Sequence, residues 1–138
     1  MPILCEIISQ DRVVFKDDVD IVILPGSAGE MGILPNHAPL LTTLQYGVIR
    51  VRDNGEEEFF TVSGGIAEVG PTRVTILADA AENVAEIDLN RAEAARKRAE
   101  QILKEQEPRE KDTYLSIRAA LKRSQLRIDA VKRYKKQK

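Results

Sequence analysis

A cluster of basic side chains that could bind an anion lies close to the end of this sequence. They are Lys122, Arg123, Arg127, Lys132, Arg133, Lys135, Lys136 and Lys138. Such a cluster could contact nucleic-acid phosphates, but only Tyr134 is available there for base stacking. The acidic residues earlier in the chain would repel a phosphate backbone. The pattern argues against nucleic acid and favours a solvated face that also contacts an acidic protein surface.

Catalysis or metal binding would have to rest on very few side chains. His37, within Pro35-Asn36-His37-Ala38-Pro39, is the only histidine, and Cys5 is the only cysteine, so the sequence offers no metal cluster and no internal disulfide. Gly64-Gly65 lacks the Lys-Ser/Thr of a phosphate-binding loop and predicts a bulge or tight bend between strands. We therefore expect no enzyme, with His37 a structural or interface residue and Cys5 a small core residue.

The charge of the chain predicts two segments with different roles. Through Val84 there are 5 Lys and Arg against 13 Asp and Glu, a net of −8; from Ala85 onward there are 16 against 9, a net of +7. All 8 glycines lie at or before Gly70. We expect one domain over 1–84 and another over 85–138. No apolar run is long enough to cross a bilayer, and the first residues lack a basic secretory n-region, so membrane insertion and export are not expected.

The first segment has the pattern of short strands separated by turns. Asn54-Gly55 is a strong hairpin signal because both central residues of a type I′ turn need positive φ. Pro25-Gly26 and Gly70-Pro71-Thr72 mark further turns. This spacing favours an antiparallel β-sandwich or barrel. The predicted strands are Ile3–Ser9, Arg12–Phe15, Val19–Leu24, Tyr46–Arg52, Glu58–Val62, Ile66–Val69 and Arg73–Leu77.

The second segment has the apolar spacing of two helices. Asp88 is suited to cap the first, and Pro108 lies in the break between the two. Ser124 interrupts the apolar positions of the second helix. The pattern predicts an αα-hairpin. Its apolar positions are Leu89, Ala92, Ala95, Ala99, Ile102 and Leu103 in the first helix, and Tyr114, Ile117, Leu121, Ile128 and Val131 in the second.

Several blocks of the chain closely resemble the epsilon subunit of bacterial F-type ATP synthase. They follow in order along nearly the whole sequence: 29–40, 63–69, 74–78, 80–82, 87–92 and 120–123. The resemblance implies a β-sandwich of about ten strands followed by two C-terminal helices. It also implies a peripheral rotor subunit on the cytoplasmic face of the bacterial plasma membrane, bound to the gamma subunit and the c-ring, with no catalysis of its own.

In this family the helices fold as a hairpin or extend into the alpha/beta catalytic head, where they block ATP hydrolysis. About 50 helical residues at roughly 1.5 Å each would reach on the order of 75 Å. The basic half of the chain would then meet acidic surfaces of the head. Two rival classes, a stand-alone β-sandwich binding module and a small enzyme, do not explain both halves of the chain.

The resemblance also implies two sets of site residues. Glu30, Met31, Gly32 and His37 would form a loop surface at one end of the sandwich, facing the c-ring and gamma. The alternative is that they only shape a turn and that His37 bonds within its own loop.

The second set would bind ATP as a regulatory ligand, without a directly ligated metal. It consists of Glu82, Ile87, Asp88, Arg91, Ala92, Arg98, Arg123 and Arg127, around the pattern Ile87-Asp88-x-x-Arg91-Ala92. Guanidinium groups from both helices would converge on the phosphates only in the folded hairpin, so ATP would select that state. Ile102 replaces an arginine that some ATP-binding members carry. Alternatively, Asp88 is only a cap and the arginines belong to a solvated face.

Overall fold

A computed structural model describes residues 2–10, 12–105 and 110–135 of the chain. The chain divides into two compact units, 1–84 and 85–138. The first is built of strands and the second of helices, with a short 3₁₀ turn, Val84–Glu86, at the change. The expected β-sandwich followed by a two-helix hairpin is confirmed.

Eight strands are described in the first unit, close to the ten expected. Their hydrogen-bonded order is β2-β1-β7-β6-β5-β3-β4, and β8 pairs with β6. The described pairings are antiparallel except that of β1 with β7, which is parallel. In chain order the strands are β1 (Ile3–Ser9), β2 (Arg12–Val19), β3 (Ile21–Gly26), β4 (Gly29–Ile33), β5 (Leu40–Asp53), β6 (Glu56–Val69), β7 (Arg73–Ala78) and β8 (Ala81–Asn83).

The core of this unit comes from alternate residues of its strands. In β1, Ile3, Cys5 and Ile7 are fully buried, as the period of two in a half-buried strand requires. Strands β1 to β7 all contribute to one buried apolar cluster. Burial, with a smaller contribution from the Glu6 carboxylate, raises the pKa of the Cys5 thiol to about 12. Cys5 is therefore a core residue, as the sequence predicted.

Several strands differ from the prediction: β2 continues past Phe15 to Val19, β5 begins at Leu40 and not at Tyr46, and β4 and β8 were not predicted. Glu58–Val62 and Ile66–Val69, predicted as separate strands, are parts of β6, which runs through Gly64-Gly65 without ending. Pro25 does not end β3. It lies where the register between β3 and β5 shifts, so its missing N–H interrupts no regular pairing with β5.

Gly64 and Gly65 form the expected bend, with φ of 87° and 139°. At this point β6 changes partner, since Gly65 pairs with Ala78 of β7 whereas Val62 pairs with Ala81 of β8. A Cβ on Gly65 would lie 2.3 Å from the Leu77 carbonyl oxygen, so the close approach of the two backbones requires glycine. The Asn54-Gly55 hairpin between β5 and β6 is also confirmed, with φ of 52° and 81°.

The second unit contains α1 (Leu89–Glu105) and α2 (Lys111–Tyr134), which pack against each other. The Lys135 ammonium donates a hydrogen bond of 2.8 Å to the Ile87 carbonyl oxygen, so the end of α2 lies beside the start of α1 and the helices are antiparallel. No helix in the described parts of the chain is long and apolar enough to cross a membrane.

The predicted apolar stripe of α2 is buried only toward its end. Ile128 and Val131 are buried, whereas Tyr114 is 42% exposed, contrary to its assignment to the stripe. The reason is length: α2 has 24 residues and α1 has 17, so α1 cannot cover the whole of α2. Pro108, the predicted helix break, lies outside the described residues.

Candidate functional site

The start of α1 is fixed by Asp88. Its Oδ1 accepts a hydrogen bond of 3.2 Å from the Arg91 backbone N–H, and its carbonyl oxygen accepts one of 3.1 Å from the Ala92 N–H. This is the geometry of an N-cap, which satisfies a donor that the first helical turn leaves unpaired. The predicted cap is therefore confirmed. The bond occupies one carboxylate oxygen and fixes Asp88 at the mouth of the hairpin, which is the end where α1 begins and α2 finishes.

Four arginines of the predicted nucleotide set lie on the two helices. Arg91 and Arg98 are exposed on α1, and Arg123 and Arg127 are half-buried on α2. Both helices rise about 1.5 Å per residue, and the contact between Lys135 and Ile87 aligns their ends to within the length of a lysine side chain, about one turn. It places Arg127 within about two turns of the level of Arg91, and Arg123 within about two turns of Arg98. The folded hairpin thus brings guanidinium groups from both helices to similar levels along its axis.

The remaining members of this set have different environments. Ile87 is 4% exposed and Ala92 is 4% exposed, so both contribute packing, and Ile87 also offers its carbonyl oxygen. Glu82 is half-buried in β8 of the first unit, paired with Thr61 of β6. The half-buried Ile102 supplies no charge at its position on α1.

Two polar residues lie on the packed faces of the helices. Ser124 is 3% exposed and donates a 2.9 Å hydrogen bond to the Ala120 carbonyl oxygen of its own helix. Arg96 lies between the buried Ala92 and Ala99, and its Nε is buried without a hydrogen-bond partner among the described residues. The Glu100 carboxylate is 3.6 Å from that Nε. The sequence pattern did not indicate that Arg96 would be partly buried, because it assigns the neighbouring Ala95 to the apolar positions of α1.

The predicted surface of Glu30, Met31 and Gly32 is a strand and not a loop. All three belong to β4, an edge strand, because they continue the hairpin with β3. The Glu30 carboxylate accepts a 2.8 Å charge-assisted bond from Arg50 of β5, and its side chain is 65% exposed. Met31 packs against the apolar core. Glu30 and Gly32 are therefore the exposed members of this set.

His37 lies in the segment between β4 and β5. Its Nδ1 is 2.7 Å from the Ala38 carbonyl oxygen, which means that Nδ1 carries the proton and donates. The adjacent Asn36 N–H donates to the Pro71 carbonyl oxygen at 2.7 Å, which ties the segment to the turn between β6 and β7. No hydrogen bond or ion pair in the described structure joins His37 to Glu30, so the two do not form one bonded cluster.

An exposed apolar row on the first unit was missed by sequence reasoning. Ile66 of β6 pairs with Leu77 of β7, Leu77 pairs with Ile8 of β1, and Ile8 pairs with Val13 of β2. Directly opposed residues share one face of a sheet, so these four side chains form a row. Val13 is 53%, Ile66 40% and Leu77 47% exposed. The sequence did contain a signal of this row: in the pair Ile7-Ile8, consecutive apolar residues of one strand place an apolar side chain on each face of the sheet.

Comparison with known proteins matches both units to one family. The family models that match are ATP synthase, Delta/Epsilon chain, beta-sandwich domain, over residues 3–84, and ATP synthase, Delta/Epsilon chain, long alpha-helix domain, over residues 85–132. The ATP synthase epsilon chain of Herpetosiphon aurantiacus is 46% identical over 132 residues, 96% of either chain. That of Pelotomaculum thermopropionicum is 50% identical over 98 residues, 71% of this chain and 73% of the relative.

Two solved structures share the fold. One is a chain of the Euglena gracilis mitochondrial ATP synthase, with a TM-score of 0.78 and 22% identity over 94% of this chain and 81% of that one. The other comes from the central stalk and c-ring of the Tetrahymena thermophila mitochondrial ATP synthase, with a TM-score of 0.58 and 13% identity over 94% and 96%. At these identities the likeness is one of fold alone.

Proposed function

This chain belongs to the ATP synthase delta/epsilon chain family, and we propose that it is a non-catalytic central-stalk subunit that couples proton transport to ATP synthesis and restrains ATP hydrolysis. The observation that carries the proposal is the match of both units to epsilon chains, with 96% of the chain aligned to the Herpetosiphon relative. The proposed place is the cytoplasmic face of the bacterial plasma membrane, peripheral to it, with catalysis left to other subunits.

The sandwich is the proposed docking unit. The exposed members of β4, Glu30 and Gly32, together with the segment that carries His37, would face the c-ring and the foot of gamma. The apolar row of Val13, Ile66 and Leu77 offers a second surface, and its exposure favours burial against gamma. A rigid unit that is bound to gamma and the c-ring through two such surfaces can rotate with them as part of a rotor.

The helical hairpin is the proposed regulatory unit. Its segment carries a net charge of +7, which suits a contact with acidic surfaces of the alpha/beta catalytic head when the helices extend. Its buried α1 residues, Ala92 and Ala99, are small and remove little apolar area from water, so α1 contributes little to the packing of the closed form. A unit that opens at low cost is suited to a switch.

Deletion of everything after Glu86 from the assembled complex tests this role. The core cluster lies within the first unit, so the remaining sandwich should fold and still bind gamma. ATP hydrolysis should then be faster than in the intact complex. Equal hydrolysis rates in the two complexes, with the truncated chain shown to be present, would contradict an inhibitory role of the helices.

ATP is the proposed ligand of the folded hairpin. Arg91 and Arg98 on α1 and Arg123 and Arg127 on α2 lie at similar levels, which suits the spread of charge along a triphosphate. Asp88 and Ile87, at the mouth of the hairpin, would lie nearer the adenosine, with Ala92 leaving room beside them. The set as proposed also includes Glu82. Binding of ATP would favour the closed, non-inhibiting form.

Calorimetry of the whole chain with ATP and ADP tests the ligand. We expect millimolar or tighter ATP binding that is lost in Arg91→Ala and in Arg123→Ala. Arg118→Ala removes an exposed arginine of α2 outside the proposed set and should bind as the unaltered chain does. ATP binding that is absent, or indifferent to Arg91 and Arg123, would contradict the site and leave the mechanical role untouched.

A further inference from the structure

A single lysine side chain joins the end of α2 to the segment that precedes α1. The Lys135 ammonium donates to the Ile87 carbonyl oxygen at 2.8 Å, across 48 residues of sequence. Ile87 stands just before the Asp88 cap of α1, and Lys135 stands just after the last residue of α2. The bond therefore spans the two points of the hairpin that must separate first when the helices move apart from that end.

The acceptor of this bond needs a partner in the closed state. Ile87 is 4% exposed, and a buried carbonyl oxygen without a hydrogen bond is costly. The donor is an ammonium group, so the bond is charge-assisted and stronger than one between neutral groups. Lys135 therefore supplies the partner that this oxygen has in the closed state.

The same lysine also completes α2. Its backbone N–H donates to the Val131 carbonyl oxygen at 3.1 Å, which satisfies one of the acceptors left over at the helix end. A cation at this end is favoured by the helix dipole. Lys135 is thus held by its own helix, with its side chain bonded to the residue that precedes the cap of α1. A residue that is fixed at the end of one helix and bonded beside the start of the other can act on the opening of the pair.

We propose that Lys135 is the latch of the hairpin, the residue whose bond to the Ile87 carbonyl oxygen sets how often the two helices separate. The proposal deepens the proposed function, because it names a control point for the transition between the closed and the extended form. The latch is a property of the isolated chain. Its test therefore does not depend on whether the chain binds gamma or inhibits hydrolysis.

Hydrogen exchange of the full-length chain, followed by mass spectrometry, measures the opening. Lys135→Met keeps the aliphatic stem and removes the donor. Lys132→Met, in the last turn of the same helix, removes an equal charge at an exposed position and is the matched control. We expect amides of α1 and α2 to exchange about tenfold faster in Lys135→Met, from the loss of one charge-assisted hydrogen bond. Lys132→Met should exchange as the unaltered chain does, and amides of the sandwich should not change in either variant.

Two results would overturn the latch. One is exchange in the Lys135→Met hairpin that matches the unaltered chain. The other is equal acceleration in Lys135→Met and Lys132→Met, because the cause would then be lost charge at the helix end and not the bond to Ile87. The sandwich amides serve as the internal reference that separates local opening from unfolding of the whole chain.

Discussion

Asp88 carries two roles that a single residue change can separate. Its carboxylate caps α1 through the Arg91 N–H, and its position at the mouth of the hairpin is the reason for its proposed contact with ATP. Asparagine caps helices about as well as aspartate, whereas alanine does not. The two substitutions therefore test the structural and the binding role independently.

We predict that Asp88→Asn leaves hairpin stability unchanged but weakens ATP binding at least about tenfold, the cost of losing one hydrogen bond to a charged acceptor. Asp88→Ala should in addition lower the free energy of unfolding of the hairpin by about 1 kcal/mol. Circular dichroism gives the stability and calorimetry the affinity. If Asp88→Asn binds ATP as tightly as the unaltered chain, Asp88 only caps the helix and does not contact ATP.

Glu30 and His37 are predicted to act in coupling and not in folding. The ion pair between Glu30 and Arg50 is partly exposed, so its loss should cost the sandwich less than about 1 kcal/mol. In reconstituted vesicles, the double variant Glu30→Gln, His37→Gln should make less ATP per proton gradient than the unaltered complex. Glu57→Gln breaks a similar pair with Arg52 elsewhere and should couple normally. Full coupling in the double variant would refute the interface.

At the scale of the element, α1 contains a residue, Arg96, that opposes the packing of the helix against α2. The Arg96 Nε is buried without a described hydrogen-bond partner, while the side chain as a whole is 29% exposed. Its ion pair with the Glu100 carboxylate, at 3.6 Å, is partly exposed and contributes little, so removal of the guanidinium chiefly removes the desolvation cost of the Nε donor.

We predict that Arg96→Met raises the free energy of unfolding of the hairpin by about 1 kcal/mol, since methionine fills the space without a polar atom. Lys97→Met, one position along on the exposed side, should change it little. Helix melting in the full-length chain provides the measurement. A hairpin destabilised by Arg96→Met would show that the guanidinium is satisfied in solution.

The bend in β6 should be intolerant of any side chain at Gly65. Alanine there would have φ of +139° and a Cβ 2.3 Å from the Leu77 carbonyl oxygen. We predict a loss of about 3 kcal/mol in sandwich stability for Gly65→Ala, from strain and overpacking together. Gly29→Ala has a similar φ of +130° but meets nothing within 4 Å, so it measures the backbone strain alone. Equal losses in the two variants, by denaturant unfolding, would show that the clash relaxes freely.

Local chemistry explains which elements the sequence predicts well. Asn54-Gly55 has the residue types that a two-residue hairpin requires, and Asp88 has those of a cap, so both could be identified without tertiary information. Gly64-Gly65 was read correctly as a bend, but a bend within one strand and a break between two look alike in sequence. The continuity of β6 depends on its partners β5, β7 and β8, which pattern alone does not reveal.

At the scale of the whole molecule, the features that sequence reasoning missed are those that join distant residues. Lys135 bonds to a residue 48 positions away, and the apolar row of Val13, Ile8, Leu77 and Ile66 takes its members from four strands. Neither has a local signature. The proposed nucleotide residues came from a family pattern and not from spacing, and their role stays a prediction.

The apolar row gives a prediction for assembly. Leu77→Lys and Ile66→Lys change side chains that are 47% and 40% exposed, so the isolated chain should remain folded. Binding to gamma should weaken at least about tenfold in each, the range for an apolar anchor at an interface centre. Thr72→Lys adds the same charge at an exposed turn position and should bind normally. Normal binding of all three variants would exclude the row as the gamma surface.

The burial of Cys5 makes the chain convenient for fluorescence work. The only thiol of the sequence is fully buried, with a pKa near 12, so almost none of it is thiolate at neutral pH. A maleimide dye should leave it untouched in the native state. Cysteines introduced at exposed positions, one on the sandwich and one on the hairpin, would then be the only labelled sites. Energy transfer between two dyes could follow the opening of the helices in single rotating complexes.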